Sequence, residues 1–328
     1  MTRLVLPIAV LTTMLASSLP AQAQLTRTFV SAAGSDSNPC TITQPCQSFA
    51  HAYSLTAANG IVAALDPGKY GPLTITGPVT INGNGWAAIT APAGGNGITI
   101  NAVSGNVILT GLEIDGAGAA YNGVVFNSGS SLTVTNCSLQ NMVQNGGFIN
   151  TGNGILMQPS SGTLDFTITN TTASNNGYIG VNYQPTGGSP STNIVIDHVI
   201  ATANPGIGIN VYLTFASGGT TVVTVANSNV SGNGAGIFVG NSGAPSAAAK
   251  MSIDNVSASG NSTGVTATAT ANVLLGRSVV TGNNSGIFNG TSPNTFYTYK
   301  DNRINLNTVA DVQTSGGSSA LNTSLSQQ

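Results

Sequence analysis

From Phe166 to Asn307 the chain repeats one pattern six times: an apolar–polar–apolar–polar run, a turn residue, a short segment, then Asn and Gly. The copies read FTITNTTASNNG, IVIDHVIATANPG, VVTVANSNVSGNG, MSIDNVSASGNS, VLLGRSVVTGNN and FYTYKDNRINLN. Self-similarity at a spacing of tens of residues marks a stack of structural repeats. With the turn residue as register mark, the series runs Gly111, Asn136, Asn170, His198, Asn227, Asn255, Arg277 and Asp301, with Gly83 starting it one coil earlier. Successive marks from Gly111 onward lie 22 to 34 residues apart. Two residues before each mark stand Leu109, Val134, Ile168, Ile196, Val225, Ile253, Leu275 and Tyr299. Four before stand Val107, Leu132, Phe166, Ile194, Val223, Met251, Val273 and Tyr297. Every member of both columns is apolar, and a period of two means a strand with one buried face.

Six residues after the mark comes a second column, Asn176, Asn204, Asn233, Asn261, Asn283 and Asn307. A third apolar stretch follows, as in Gly236-Ile237-Phe238-Val239. Each coil is therefore three short strands joined by turns, and coils stack about 4.8 Å apart, the spacing of hydrogen-bonded strands. Like side chains then lie over like, and stacked amides can donate to one neighbour and accept from the other. Asn and Gly also tolerate the left-handed backbone that tight bends need.

These columns resemble the right-handed parallel β-helix of the pectate lyase-like superfamily over roughly residues 60 to 312. The resemblance implies an all-β, single-domain right-handed parallel β-helix with three strands per coil, about nine coils and an N-terminal capping helix. It says little about activity, because that superfamily holds lyases, hydrolases, epimerases and non-catalytic proteins.

Residues 1–23 read as a secretory signal peptide, with basic Arg3, an apolar run from Leu4 to Leu15 and a small-x-small site at Ala21-Gln22-Ala23. The apolar run is too short for a membrane span, and no second one follows. The expected destination is the periplasm or the outside of the cell. Removing Arg3 with the leader leaves nine acidic against six basic residues. That excludes the basic stripe a nucleic-acid binder needs.

Residues 24–60 depart from the repeat and form an N-terminal cap segment. Its Phe29-Val30-Ser31 and Gly34-Ser35-Asp36-Ser37-Asn38-Pro39 stretches resemble the start of many exported β-helix proteins. Cys40 and Cys46 frame a short loop stiffened by Pro39 and Pro45, and export favours their oxidation to a disulfide. Two thiols with only His51 nearby make a poor metal set. Cys137 is left over as a reduced thiol near a turn. Ser48 to Asn59 reads as a helix capped by Ser48 and stopped by Gly60, placed to plug the open end of the solenoid. Ile61 to Leu65 reads as the first strand, residues 61–312 as the solenoid, and 313–328 as a loose tail.

Ionic chemistry has few residues to draw on. Outward positions beside the marks give a stripe of Asp197, Asp254, Arg277 and Lys300. β-helix lyases carry catalytic groups on such a face, and the resemblance implies Ca2+ held by several carboxylates with Arg or Lys as base. Asp197 and Asp254 stand two coils apart, roughly 9–10 Å, too far for one calcium ion to bridge, and no other acidic residue is expected beside them. The run Ile194-Val195-Ile196-Asp197-His198 resembles a strand end of one pectate lyase group, but its acidic companions are missing. No paired Asp for glycoside hydrolysis and no credible Ser-His-Asp set appears.

The favoured reading is an exported, non-catalytic β-helix without cofactor, presenting a polar ladder surface to carbohydrate or another cell-envelope component. Tyr178, Tyr183, Tyr212 and Trp86 are candidate stacking residues, with packing in the core or a loop the favoured alternative for each. The alternatives are an atypical polysaccharide lyase using the stripe, the only reading that calls for Ca2+, and an adhesin or structural surface protein.

Overall fold

The computed structural model describes residues 24–147, 150–240, 247–269, 271–290, 296–315 and 321. The signal-peptide reading of 1–23 and most of the tail reading of 313–328 fall outside the described residues.

Among the described residues every strand pairing is parallel, and strands separated by one coil are neighbours. The architecture is a parallel β-helix with three faces. The first face carries Ser131–Thr135, Thr163–Thr169, Ser191–Asp197, Thr220–Ala226, Ala248–Asp254 and Ala271–Gly276 in successive coils. The second face is narrow: Ser257–Ser259, Val279–Thr281 and Arg303–Asn305 pair in sequence, and bridges from Thr172 through Ile200 and Asn229 to Ser257 continue them. The third is a ten-stranded sheet running from Leu73–Ile75 to Ala310–Thr314. In the first coils the strands Val79–Thr90 and Asn106–Asp115 run unbroken round the first bend.

The apolar columns form the core because each strand turns alternate residues inward. Leu132, Phe166, Ile194, Val223, Met251 and Val273 lie in one register ladder, all buried. The bend after the first strand is left-handed at Gly111, Asn136, Asn170, His198, Asn227, Asn255 and Arg277, with φ between 47° and 63°. Two expected marks move. In the first coil the left-handed residues are Asn84 and Gly85, not Gly83. Gly83 is required for a different reason: a β-carbon there would lie 2.2 Å from the Gly111 carbonyl oxygen of the next coil.

The last coil is slipped by one residue relative to expectation. Phe296 pairs with Val273 and Thr298 with Leu275, and both point inward, while Tyr297 and Tyr299 do not. Left-handed Lys300 takes the mark assigned to Asp301. A slip of one residue exchanges the two faces of a strand, and Phe296 fills the core better than either tyrosine, whose hydroxyl would need a buried partner.

At the N-terminus, Leu25–Val30 pairs with Thr56–Ala64 and extends the first sheet by one strand. The helix spans only Phe49–Ser54, with the Ser48 hydroxyl accepting from the His51 amide at 3.1 Å. It stops before the expected Asn59 because Thr56 opens the next strand, its hydroxyl bonded to the Ala52 carbonyl and to Thr28. Cys40 and Cys46 form a disulfide. Cys137 is free and buried, and burial pushes its thiol pKa up to about 11, which leaves it little nucleophilic character. No helix among the described residues is long and apolar enough to cross a membrane.

Candidate functional site

The site is built on the first bend, where left-handed residues of consecutive coils stack on the surface. The Asn255 amide donates to the Asn227 side-chain oxygen at 2.7 Å, and the Asn227 amide donates to Asp197 at 2.8 Å. Asp197 also bonds the His198 Nδ1 at 2.8 Å. These bonds, that from Asn227 first, hold the Asp197 carboxyl below the usual carboxylate range. One coil past Asn255 the row ends in Arg277, which turns onto Asp254: Nε donates to Oδ1 at 2.8 Å, and an Nη contacts Oδ2. This lowers the Asp254 pKa and raises that of Arg277.

Beside this row runs a shallow groove of about 490 Å3 along the narrow face. His198, Asn227, Asn255 and Arg277 line it together with Ile200 and Asn229. Ile200, bridged to Thr172 and Asn229 in the neighbouring coils, is 46% exposed. Amides beside the exposed Ile200 side chain can grip a ligand with hydroxyl edges and C–H faces.

The stripe expected from the sequence is only partly assembled. Asp197, Ala226, Asp254 and Gly276 succeed one another in register, so the two carboxylates are two coils apart. Arg277 joins Asp254, as described. Lys300 does not lie on the outer strand; the slip places it in the bend and gives Tyr299 the outward position. The same slip brings in a residue the sequence reading missed. Asp301, counted there as a turn mark, faces Asp254 across Gly276. A β-carbon on Gly276 would lie 3.4 Å from Asp254 Oδ1 and 3.8 Å from Asp301 Oδ2. The two carboxylates, Gly276, Arg277 and Tyr299 line a hollow of about 300 Å3, and Asp301 Oδ1 is buried in it without a hydrogen-bond partner. The absence of a side chain at Gly276 was the signal the sequence held.

Calcium does not fit this hollow. It takes six to eight oxygens, and both Asp254 oxygens are engaged by Arg277, whose positive charge also faces Asp301. Among the described residues the one trio close enough to share a metal is Cys40, Cys46 and His51, and its sulfurs are joined to each other.

The second asparagine column forms a separate, buried ladder. Asn176, Asn204, Asn233, Asn261, Asn283 and Asn307 each donate one amide hydrogen to the carbonyl of the preceding coil; the first five give the other to the next Asn, at 3.0–3.2 Å. Asn307 ends the ladder on the Asp311 carboxylate at 2.9 Å. The ladder holds coils in register and faces no solvent along most of its length.

No protein-family model matches the chain, and no curated protein matches it in sequence. Solved structures do. The A-module of mannuronan C-5 epimerase AlgE6 from Azotobacter vinelandii aligns at 17% identity with a TM-score of 0.55, covering 78% of this chain and 71% of that one. Pectate lyase Pel9A aligns at 19% identity with a TM-score of 0.52, covering 92% and 78%. The likeness is one of fold. The chain is a parallel β-helix, and that fold is what it has in common with those two proteins.

Proposed function

We propose that this is an exported β-helix that binds an extended carbohydrate, a polymer of the cell envelope or its surroundings, without cleaving it. The polymer lies along the groove beside Asp197, Asn227, Asn255 and Arg277. The observation that carries this reading is the in-line row of exposed amides on consecutive coils. Two like amides, Asn227 and Asn255, follow one another about 4.8 Å apart between the Asp197 carboxylate and the Arg277 guanidinium, polar groups at coil spacing that suit an extended ligand. The Asn255 side-chain oxygen has no partner among the described residues and is open to a hydroxyl. The disulfide fits an oxidising compartment. Arg277 is poorly suited to act as a base, because Asp254 holds it protonated.

The test is affinity electrophoresis of residues 24–328 through gels containing neutral and acidic polysaccharides. At least one polymer retards the protein, and Asn227→Ala with Asn255→Ala weakens retardation about tenfold, the equivalent of about 1.4 kcal/mol. Equal retardation of the variant would contradict the groove assignment.

A second reading, an atypical polysaccharide lyase, is favoured by the approach of Asp301 to Asp254 across Gly276. It requires release of unsaturated sugars that Asp301→Asn abolishes.

A further inference from the structure

We infer that the outer side of the third face carries a separate subsite for a single sugar ring, between Tyr178, Tyr212 and Phe238 with Asn210 at its base; this rests on the carbohydrate-binding reading. These residues, with Ile179 and Ile207, line a cavity of about 220 Å3. It is smaller than the roughly 300–1,000 Å3 of drug-sized pockets and suits one ring rather than a chain.

Two features suit the cavity to a ligand. The first is a polar ladder that stops inside it. Asn122 donates to Asn96, Asn153 to Asn122, Asn182 to Asn153 and Asn210 to Asn182, at 2.8–3.1 Å. Each step supplies the acceptor below it with a donor. In the next coil the position paired with Asn210 is Phe238, which has no donor. The Asn210 side-chain oxygen is left without a partner, in a residue only 4% exposed. A buried acceptor left unpaired is unfavourable, and a ligand hydroxyl placed there removes the penalty.

The second feature is the placement of the aromatic walls. Gly206 lies directly against the Tyr178 ring: a β-carbon there would come within 2.5 Å of it. Tyr212 is braced edge-on by Phe215 at 5.9 Å and lies 6.1 Å from Phe238. Tyr178, Tyr212 and Phe238 are all partly exposed. Preset rings lose little freedom on binding, and their faces match the C–H face of a pyranose while an oxygen at the base receives a hydroxyl. The cavity is on a different face from the Asn227–Asn255 row and shares no residue with it.

The test is saturation-transfer NMR on residues 24–328 with methyl β-D-glucopyranoside, methyl β-D-galactopyranoside and methyl β-D-mannopyranoside. Saturation is expected on ring C–H protons of at least one glycoside. Tyr178→Ala and Tyr212→Ala weaken that binding about tenfold, with circular dichroism unchanged. Gly206→Ala, whose β-carbon would press on both the ring and the carbonyl of Tyr178 without removing an aromatic, weakens it as well. Asn227→Ala with Asn255→Ala leaves it intact. No saturation with any of the three, or saturation indifferent to all three cavity variants, overturns the inference. Glycoside binding without polymer retardation would remove the groove reading alone; polymer retardation without glycoside binding would remove this subsite alone.

Discussion

At Asn233 one side chain makes four hydrogen bonds. Its amide donates to the Ala201 carbonyl and to Asn261, and its oxygen accepts from the backbone and the side chain of Asn204. All are buried, so truncation strands several polar groups at once. Asn233→Ala is expected to lower unfolding free energy by about 3 kcal/mol, at roughly 1–3 kcal/mol per stranded group with partial relaxation. Asn307→Ala, at the more exposed end of the ladder, should cost about 1 kcal/mol. Urea unfolding of the two variants checks the difference, and equal costs would deny the ladder its internal role. The ladder begins at Asn176, whose oxygen is unpaired because the preceding coil has Met142 in that place. The ladder asparagines could be found in the sequence because their spacing from the turn mark is constant. The partners of Asp197 and Asp254 could not, since they depend on which neighbour each side chain turns toward across a coil.

At the scale of the element, the last coil decides between two registers. The structure predicts that Phe296→Ala lowers stability by about 3–5 kcal/mol, as large core truncations do, and that Tyr297→Ala costs far less; the reverse order would restore the register expected from the sequence. Both alternations were apolar enough to read as a core face, and periodicity alone could not choose between them. That one-residue ambiguity also hid Asp301 from the site and misplaced Lys300. The N-terminal segment is tied by two carboxylates. Asp66 accepts from the Ser31 hydroxyl at 2.6 Å, from the Ala32 amide at 2.8 Å and from Tyr70, and the Ser31 and Tyr70 bonds lower its pKa. Burial alone would raise Asp36, but hydrogen bonds from Ser48 and Gln47 more than offset it. A carboxyl with a folded-state pKa below its unfolded value stabilises at pH above the unfolded value, and loses that contribution as pH falls through the folded one. Melting temperature should therefore be flat above the usual carboxylate range and drop below it. Asp66→Asn should shallow that drop in a pH series of thermal melts; an unchanged acid limb would refute the assignment.

For the whole molecule, stacking turns a sequence repeat into surface periodicity. The fold was legible because its columns are enforced by the core and by the left-handed bends. Function was less legible because outward positions are free of those constraints, and because Ile200, Asn210 and Phe238 acquire their meaning only from coils above and below. The structural neighbours are an epimerase and a lyase, and their likeness in fold leaves activity to the side chains. Those favour holding over cutting: Arg277 is committed to Asp254, and the middle of the exposed row is a pair of amides, Asn227 and Asn255. The most direct measurement incubates residues 24–328 with each polysaccharide that retards it, with and without calcium, and follows ultraviolet absorbance of unsaturated sugar ends. The account predicts retardation by a polymer and no rise in absorbance under either condition. A rise that Arg277→Ala or Asp301→Asn abolishes would contradict it and make the protein a lyase.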